Sequence, residues 1–582
     1  MIRGLLIGVC LVCGLADAAR SQLLPLPAPD PRSPSSQPQP LPVAPLPEPE
    51  TEVLPPPAEL LPPVPDRPAE SAPFPTQITV KRFKVEGSTI FSAAEFDRVF
   101  EAKGLIGQPI EFAQLQAAAD AVTELYTSQG YITSGAFIPA NQRTGAFVLP
   151  DRTQEAEITI QVVEGGLEAI QITGLQRLRP SYIRSRLAIA TQKPLNYERL
   201  FEALQLLRLD RAIQDISADL ATGATPGQSV LKVAVTEARA FRAQLATDNF
   251  RSPSVGTNRR IVQASQANLL GLGDDLTLSY INTTGSHEAT LSYVLPINPR
   301  NGTIALNLGF SKSHVIEEPF DFLDIESESR YFEVSYRQPI VLKPTREIAV
   351  GVTLGRQVNR ATLIDDEIPF PTRGSDFAGY TRVTTLRLFQ EATWRSSAEV
   401  IGLRSQFSFG LNLLDATIND RPPDGQFFSW RGQAQWARLL APDTLLLLRG
   451  DIQLADRPVV PLEQFGIGGA LSVRGYRQDA LIGDNGVFGS AEVRVPIARF
   501  PKQAALLQAA TFVDVGSIWN RSGGEPRPDP DTLVSVGLGL RLQAGDRLSA
   551  QFDWGIPLID FPGRKRTWQE NGLYFSLVYS LF

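Results

Sequence analysis

The chain has 582 residues, of which 43% are hydrophobic and 20% charged, with a formal net charge of -7 at pH 7. That length and balance are ordinary for a folded protein of several domains. The slight acidity argues against nucleic acid as a main partner and otherwise bears only on solubility and membrane compatibility.

The first residues, Met1-Ile-Arg-Gly4, an apolar run over 5–15 and then Ala16-Asp-Ala18, supply the charged, hydrophobic and small-residue parts of an export signal. We place it at residues 1–18, with cleavage after Ala18. Neither Cys10 nor Cys13 follows the small residue a lipoprotein signal needs, and both leave with the signal, so the mature chain is expected to be free of cysteine. Residues 19–76 read as a Pro-rich disordered linker that holds nearly half of the 46 prolines. Proline fixes φ and donates no hydrogen bond, so this stretch is an extended tether, spanning on the order of 150 Å at about 3.1 Å per residue.

From residue 77 the pattern runs strand, helix, helix, strand, strand, and then repeats. The first copy, residues 77–165, opens on Ile78-Thr-Val-Lys-Arg-Phe-Lys-Val-Glu-Gly87. Helices are expected near 93–100 and over 112–128, and strands near 131–138 and 157–164. The second, residues 166–238, opens on Leu167-Glu-Ala-Ile-Gln-Ile-Thr-Gly174. Its helices are expected near 180–187 and 197–208, and its strands near 213–220 and 230–237. Each is long enough for a small sheet covered by two helices. This β-α-α-β-β order, with a glycine closing the first strand of each copy, resembles tandem POTRA domains, the periplasmic polypeptide-binding modules of outer-membrane transporters. Gly130-Tyr-Ile-Thr-Ser-Gly-Ala-Phe-Ile-Pro139 is similar to the corresponding stretch of that family's secretion branch. The resemblance implies Tyr131, Phe137 and Ile138 as passenger contacts.

Residues 239–582 hold no apolar run long enough for a transmembrane helix, yet they alternate strictly with period two. Leu446, Leu448, Gly450, Ile452 and Leu454 lie on one face, and Arg449, Asp451 and Gln453 on the other. The split recurs in Phe428, Trp430, Ala434 and Trp436 against Ser429, Arg431, Gln433 and Gln435, and in Leu548, Ala550, Phe552 and Trp554 against Arg547, Ser549, Gln551 and Asp553. An apolar outside around a charged inside defines an all-β transmembrane barrel with a wet lumen, where a soluble sandwich would share an apolar core. Tight connections at 270–275, 296–302 and 543–546 alternate with long polar ones near 312–328, 359–379, 455–487 and 557–571. Short periplasmic turns and long outer loops explain that rhythm, and about sixteen strands fit.

The longest gap, 455–487, carries Leu471-Ser-Val-Arg-Gly-Tyr-Arg477. An arginine-led tetrad, Val473, Arg474, Gly475 and Tyr476, points to a loop folded into the lumen, where the cation needs a partner. In Thr511-Phe-Val-Asp-Val-Gly516, Phe512, Asp514 and Gly516 share one parity and Val513 and Val515 the other. With the valines toward lipid, Asp514 faces the lumen and pairs with Arg474, because an unpaired charge there costs several kcal/mol. Gly466-Ile-Gly-Gly-Ala470 reads as flexibility ahead of the tip, and no phosphate-binding loop occurs in the sequence. His287 and His314 fall in barrel hairpins as ordinary polar residues. The last strand, Gly572-Leu-Tyr-Phe-Ser-Leu-Val-Tyr-Ser-Leu-Phe582, ends on an aromatic residue and resembles the signal read by the barrel-assembly machinery. Phe582, however, falls on the parity of Ser576 and Ser580.

Together these features closely resemble the TpsB transporters of two-partner secretion, the ShlB/FhaC/HecB haemolysin secretion and activation proteins. Asn268-Leu-Leu-Gly-Leu-Gly-Asp-Asp-Leu-Thr-Leu-Ser-Tyr280 belongs to the same resemblance. It implies a secreted TpsA-like adhesin or haemolysin as partner, outer-membrane lipid around the barrel, assembly-machinery contact during biogenesis, no cofactor and no enzymatic activity. It also implies an arginine held by the aspartate of the F-x-D-x-G strand, here Arg474 and Asp514. The N-terminal plug helix of some members has no counterpart in the Pro-rich segment. An outer-membrane assembly factor of the same superfamily and a passive porin are the alternatives. The former usually has more repeats, and the latter leaves both repeats without a task.

Overall fold

The computed structural model describes residue 37 and residues 78–581, apart from 108, 111, 140–155, 226, 364–367, 522–528 and 563–565. The expected export signal, nearly all of the Pro-rich segment and with it the question of a plug, and Phe582 lie outside the described residues. Two compact units divide after Ala238.

In the first unit, the parallel strands Ile78–Glu86 and Ala156–Val163 form the centre of a four-stranded sheet, flanked by Pro109–Ile110 and Gly135–Phe137. Helices Ala93–Ala102 and Phe112–Ser128 close on it through a core that includes Phe83, Phe96, Phe100, Tyr126 and Ile160. The strand expected over 131–138 is shorter because Tyr131 and Ser134 close a turn, with Ser134 N donating to Tyr131 O at 3.0 Å. The two-residue strand at Pro109 was not anticipated, since so short a piece has no period.

The second repeat orders its strands as Gly166–Thr173, Gln228–Glu237 and Ile213–Thr222, the first pair parallel and the second antiparallel. Helix Pro180–Ala190 starts with proline, whose missing N–H is no loss in a first turn, and Tyr197–Arg208 is capped by Asn196 Oδ1 accepting from Arg199 N at 3.1 Å. The strand-ending glycines of both repeats have φ +85, and a Cβ at Gly174 would lie 2.1 Å from the Val235 carbonyl oxygen. Only glycine closes the strand there. Backbone bonds from Leu195 N to Gly165 O and from Tyr197 N to Gly130 O, 2.9 and 2.8 Å, join the repeats.

The second unit is a closed antiparallel barrel of sixteen strands, with Ile368–Pro369 as a short addition to Arg346–Leu363. Closure pairs the last strand, Leu573–Ser580, with the first, Phe241–Asp248, from Ser576↔Asp248 to Ser580↔Gln244. Its burial is inside out. Leu278, Phe332, Leu354, Val513, Val515 and Leu538 are exposed, whereas Glu288, Glu333, Arg387, Glu492, Asp514 and Asp553 are buried. That is the signature of a barrel in lipid with a polar lumen. Turns at 344–345, 396–398, 442–443 and 545–547 are tight on one rim, and the opposite rim carries 315–325, 412–427, 456–484 and the described parts of 368–379 and 558–572. The outer connection at 283–285 is an exception to the length rule, closed by Thr283 N donating to Ser286 O at 2.8 Å.

Candidate functional site: a loop braced across the lumen

Residues 456–484 leave the strand Thr444–Ala455 and return into Asn485–Phe500 through the barrel interior. A small hairpin, Phe465–Ile467 with Leu481–Gly483, gives the loop its own apolar core. Phe465, Ile467, Val473, Tyr476 and Leu481 pack there on the wall residues Phe488, Ile518 and Leu533.

The tip is held by polar contacts. Arg474 is 2% exposed, and its Nε and Nη2 donate to the two oxygens of Asp514 at 2.8 and 3.0 Å, while its own backbone N–H adds a third bond at 3.2 Å. Nη1 donates to Glu492 Oε2 at 2.5 Å and lies 3.8 Å from Asp553. The guanidinium stacks 3.4 Å over the ring of Phe512, a cation–π contact in a water-poor setting. Gly475 has φ +102 and rests against Gly555, where a Cβ would come within 2.4 Å of its nitrogen. Gly475 N donates to Tyr574 Oη at 2.8 Å, and Tyr574 Oη donates to the Tyr476 carbonyl. Tyr476 Oη sits 2.8 Å from the Val534 carbonyl and 3.0 Å from that of Ile559. Val473 meets Gly516, so Val473, Arg474, Gly475 and Tyr476 come together with Phe512, Asp514 and Gly516 in one place.

Register explains why this wall accepts them. Glu492, Phe512, Gly537 and Gly555 face one another across four strands, and Arg494, Ala510, Gly539 and Asp553 form the next row. The small residues leave space for the Phe512 ring and the arginine above it; a Cβ at Gly537 would lie 2.2 Å from Phe512. The rest of the ion network was missed at the sequence level. Arg494 bonds Glu492 at 2.7 Å, Arg541 bonds Asp553 at 2.7 Å and Glu492 at 3.3 Å, and Arg449 reaches Ser490 and the Leu471 carbonyl at 3.4 and 3.5 Å. Alternation places Asp553 on the polar face, but parity cannot say which polar residues meet across strands.

The root of the loop has a second anchor. Glu463, 7% exposed, accepts from Arg387 Nη2 at 2.6 Å, and Arg387 also lies 3.5 Å from Glu333. Arg387 belongs to Tyr380–Arg395 and Asp514 to Ala505–Trp519, which are not neighbours in the barrel, so the loop is tied to two separated parts of the wall.

In the other unit, Phe137 is 45% exposed on its edge strand. Tyr131 and Ile138 instead join the core of the first repeat, Tyr131 edge-on to Phe91 and Tyr126. Tyr131 is partly buried there and Ile138 buried, so of the three residues Phe137 presents the most exposed apolar side chain.

A sixteen-stranded barrel with an infolded, ion-paired loop, preceded in the chain by two small α/β repeats, defines the class of outer-membrane transport proteins. The description "Haemolysin secretion/activation protein ShlB/FhaC/HecB" matches residues 227–542 and "POTRA domain, ShlB-type" matches residues 78–165. The chain belongs to the ShlB/FhaC/HecB family and sits in the outer membrane. It is 23% identical over 498 residues to the outer membrane transporter CdiB of Escherichia coli, covering 83% of this chain and 79% of that one. It is 18% identical to the heme/hemopexin transporter protein HuxB of Haemophilus influenzae over 71% of each chain. The solved structure of CdiB from Escherichia coli superposes with a TM-score of 0.67 at 20% identity, covering 90% of this chain and 95% of that one, which shows the shared fold.

Proposed function

We propose that the protein captures an unfolded secreted exoprotein, of the adhesin or haemolysin type, in the periplasm and passes it through the barrel to the cell surface without nucleotide hydrolysis. The observation that carries this reading is the loop held across the lumen by buried but non-covalent ion pairs at root and tip. A passive pore has no use for such a brace, whereas a polypeptide conduit needs its lumen obstructed at rest and open in use. Capture is supported by the strand Ile213–Thr222, which ends its sheet and, among the described residues, pairs on one side only. An extended chain adds there through backbone bonds, which bind many sequences, with pockets selecting among them. Phe137 on the first repeat offers an apolar contact beside a second short edge. Folding outside makes return unfavourable, so the passenger itself drives export. The residues 166–238 act in this scheme as a second POTRA domain, and the barrel-assembly machinery inserts the chain by its last strand.

The test compares export of a cognate exoprotein in cells with and without this protein, with barrel insertion checked by heat-modifiable gel mobility. Export is expected to cease while other outer-membrane proteins keep their levels. Unchanged export with a general fall in outer-membrane barrels would instead make it an assembly factor.

A further inference from the structure

The barrel closes where its last strand, Leu573–Ser580, meets its first, Phe241–Asp248, over five register pairs, against seven and eight in the ladders on either side. Beyond Ser576↔Asp248, toward the outer rim, a side chain continues the ladder. Asn249, fully buried, accepts from Phe575 N through Oδ1 at 2.9 Å and donates through Nδ2 to the Leu573 carbonyl at 2.9 Å. Its backbone N–H adds a bond to the Phe575 carbonyl at 3.3 Å.

A second buried amide ties this seam to the infolded loop. Gln569, in the outer connection just before the last strand, donates through Nε2 to the carbonyls of Asn249 and Arg251, the latter at 2.8 Å. Its Oε1 accepts from the loop's Gln478 N at 3.0 Å. The loop also touches both sides of the seam directly. Ala470 packs with Phe250, beside the first strand, and with Tyr574 of the last. Arg477 donates to both oxygens of Glu317 at 2.8 and 2.7 Å and lies 3.5 Å from Glu570. Glu317 follows the strand Thr303–His314, on the first-strand side, and Glu570 precedes the last strand.

A buried polar group left without its partner costs more than the bond itself is worth, and the low local dielectric sharpens that penalty. When the tip withdraws, Gln569 Oε1 loses Gln478, and Tyr574 Oη loses Gly475 N and the Tyr476 carbonyl together. Water must then enter at the point where the ladder depends on a side chain. We propose that the seated loop latches the outer end of the seam through Gln569 and Asn249. Withdrawal of the tip frays that end and widens the outer mouth, while the five pairs below keep the barrel closed. The coupling is a property of loop and wall alone; only the use of the wider mouth by an emerging chain rests on the export reading.

Hydrogen exchange of the full-length protein in detergent reads the seam at the amides of Asn249 and Phe575, and labelling of a single cysteine, Val473→Cys, reads the loop. Coupling between two sites is reciprocal, so loosening the latch must register in both. Gln569→Leu is expected to speed exchange in peptides spanning those amides about tenfold and labelling at position 473 by a similar factor, with exchange in Glu399–Leu411 unchanged. Arg474→Ala, which frees the tip from the opposite side, is expected to speed exchange at the seam as well. Should Gln569→Leu fail the heat-modifiability check, Tyr574→Phe, which removes the hydroxyl held between Gly475 and Tyr476, replaces it. Faster seam exchange with labelling at position 473 unchanged would overturn the latch. So would an Arg474→Ala variant that labels readily at position 473 while the seam keeps its protection.

Discussion

Arg474→Ala is the most direct test of the braced loop. Asp514 is fully buried and, apart from Arg474, accepts only from Ser490 Oγ at 2.6 Å among the described residues. Removing the guanidinium therefore strands a carboxylate in a water-poor site, at a cost of about 3 to 5 kcal/mol. Glu492 and Asp553 are less affected, because Arg494 and Arg541 still pair with them. The barrel ladder is untouched, so the strain is relieved where the structure is weakest. The loop tip withdraws and water reaches Asp514. At about 1.4 kcal/mol per decade, the ratio of withdrawn to seated loop rises roughly 100- to 3,000-fold. Val473, 0% exposed, becomes the reporter. Because Cys10 and Cys13 are the chain's only cysteines and lie in the expected signal, Val473→Cys gives a single labelling site. The Arg474→Ala variant should insert with normal heat-modifiable mobility, label far faster at position 473 and secrete less exoprotein. Adding Asp514→Asn should slow labelling again, since no charge is then stranded. Labelling and secretion at the unsubstituted rates in Arg474→Ala would refute the reasoning. Failure of Asp514→Asn to restore seating would shift the weight from charge to the stacking on Phe512.

The root anchor is expected to be weaker in this assay. Glu463→Gln leaves Arg387 beside Glu333, so labelling at position 473 should rise only about tenfold, with the barrel still inserted. In the repeats, burial alone would raise the Glu164 carboxyl, but bonds from Thr89 Oγ1 and N at 2.6 Å and from Tyr126 Oη at 2.9 Å hold it below its ordinary value. A depressed carboxyl contributes stability above its unfolded pKa of about 4.3 and loses it as pH falls through the lower folded value. Hydrogen exchange of the full chain should show peptides around residues 89 and 164 losing protection in that acid window. Glu164→Gln should be less protected at pH 7 and should lack the acid step.

How much of this was legible in the sequence depended on which physical rule decided each element. Helix Phe112–Ser128 was read at its observed bounds, and past its C-terminal end Gly130 takes φ +84, a left-handed stop that glycine supplies. The strand at 135–137 was over-extended because Tyr131 has strand propensity but is drawn into an aromatic cluster with Phe91 and Tyr126. Tertiary packing there outweighed local preference. Parity was sufficient to put Asp514 inside, since period-two alternation in a membrane barrel has only two outcomes per strand.

The partners of Asp514 beyond Arg474 required a different quantity, the register between strands. Glu492, Phe512, Gly537 and Gly555 align only because each hairpin fixes a stagger that no single strand encodes. The Arg387–Glu463 anchor is more remote still, joining a loop to a strand 76 positions away. These same non-local contacts hold the loop at two separated wall positions. A brace assembled from local bonds would melt piecemeal, whereas ion pairs at two separated wall positions, backed by a shared apolar core, hold or release the tip as a unit. On that argument, an incoming chain would need to compete only for the carboxylates around Arg474 to clear the lumen, and the barrel itself need not deform.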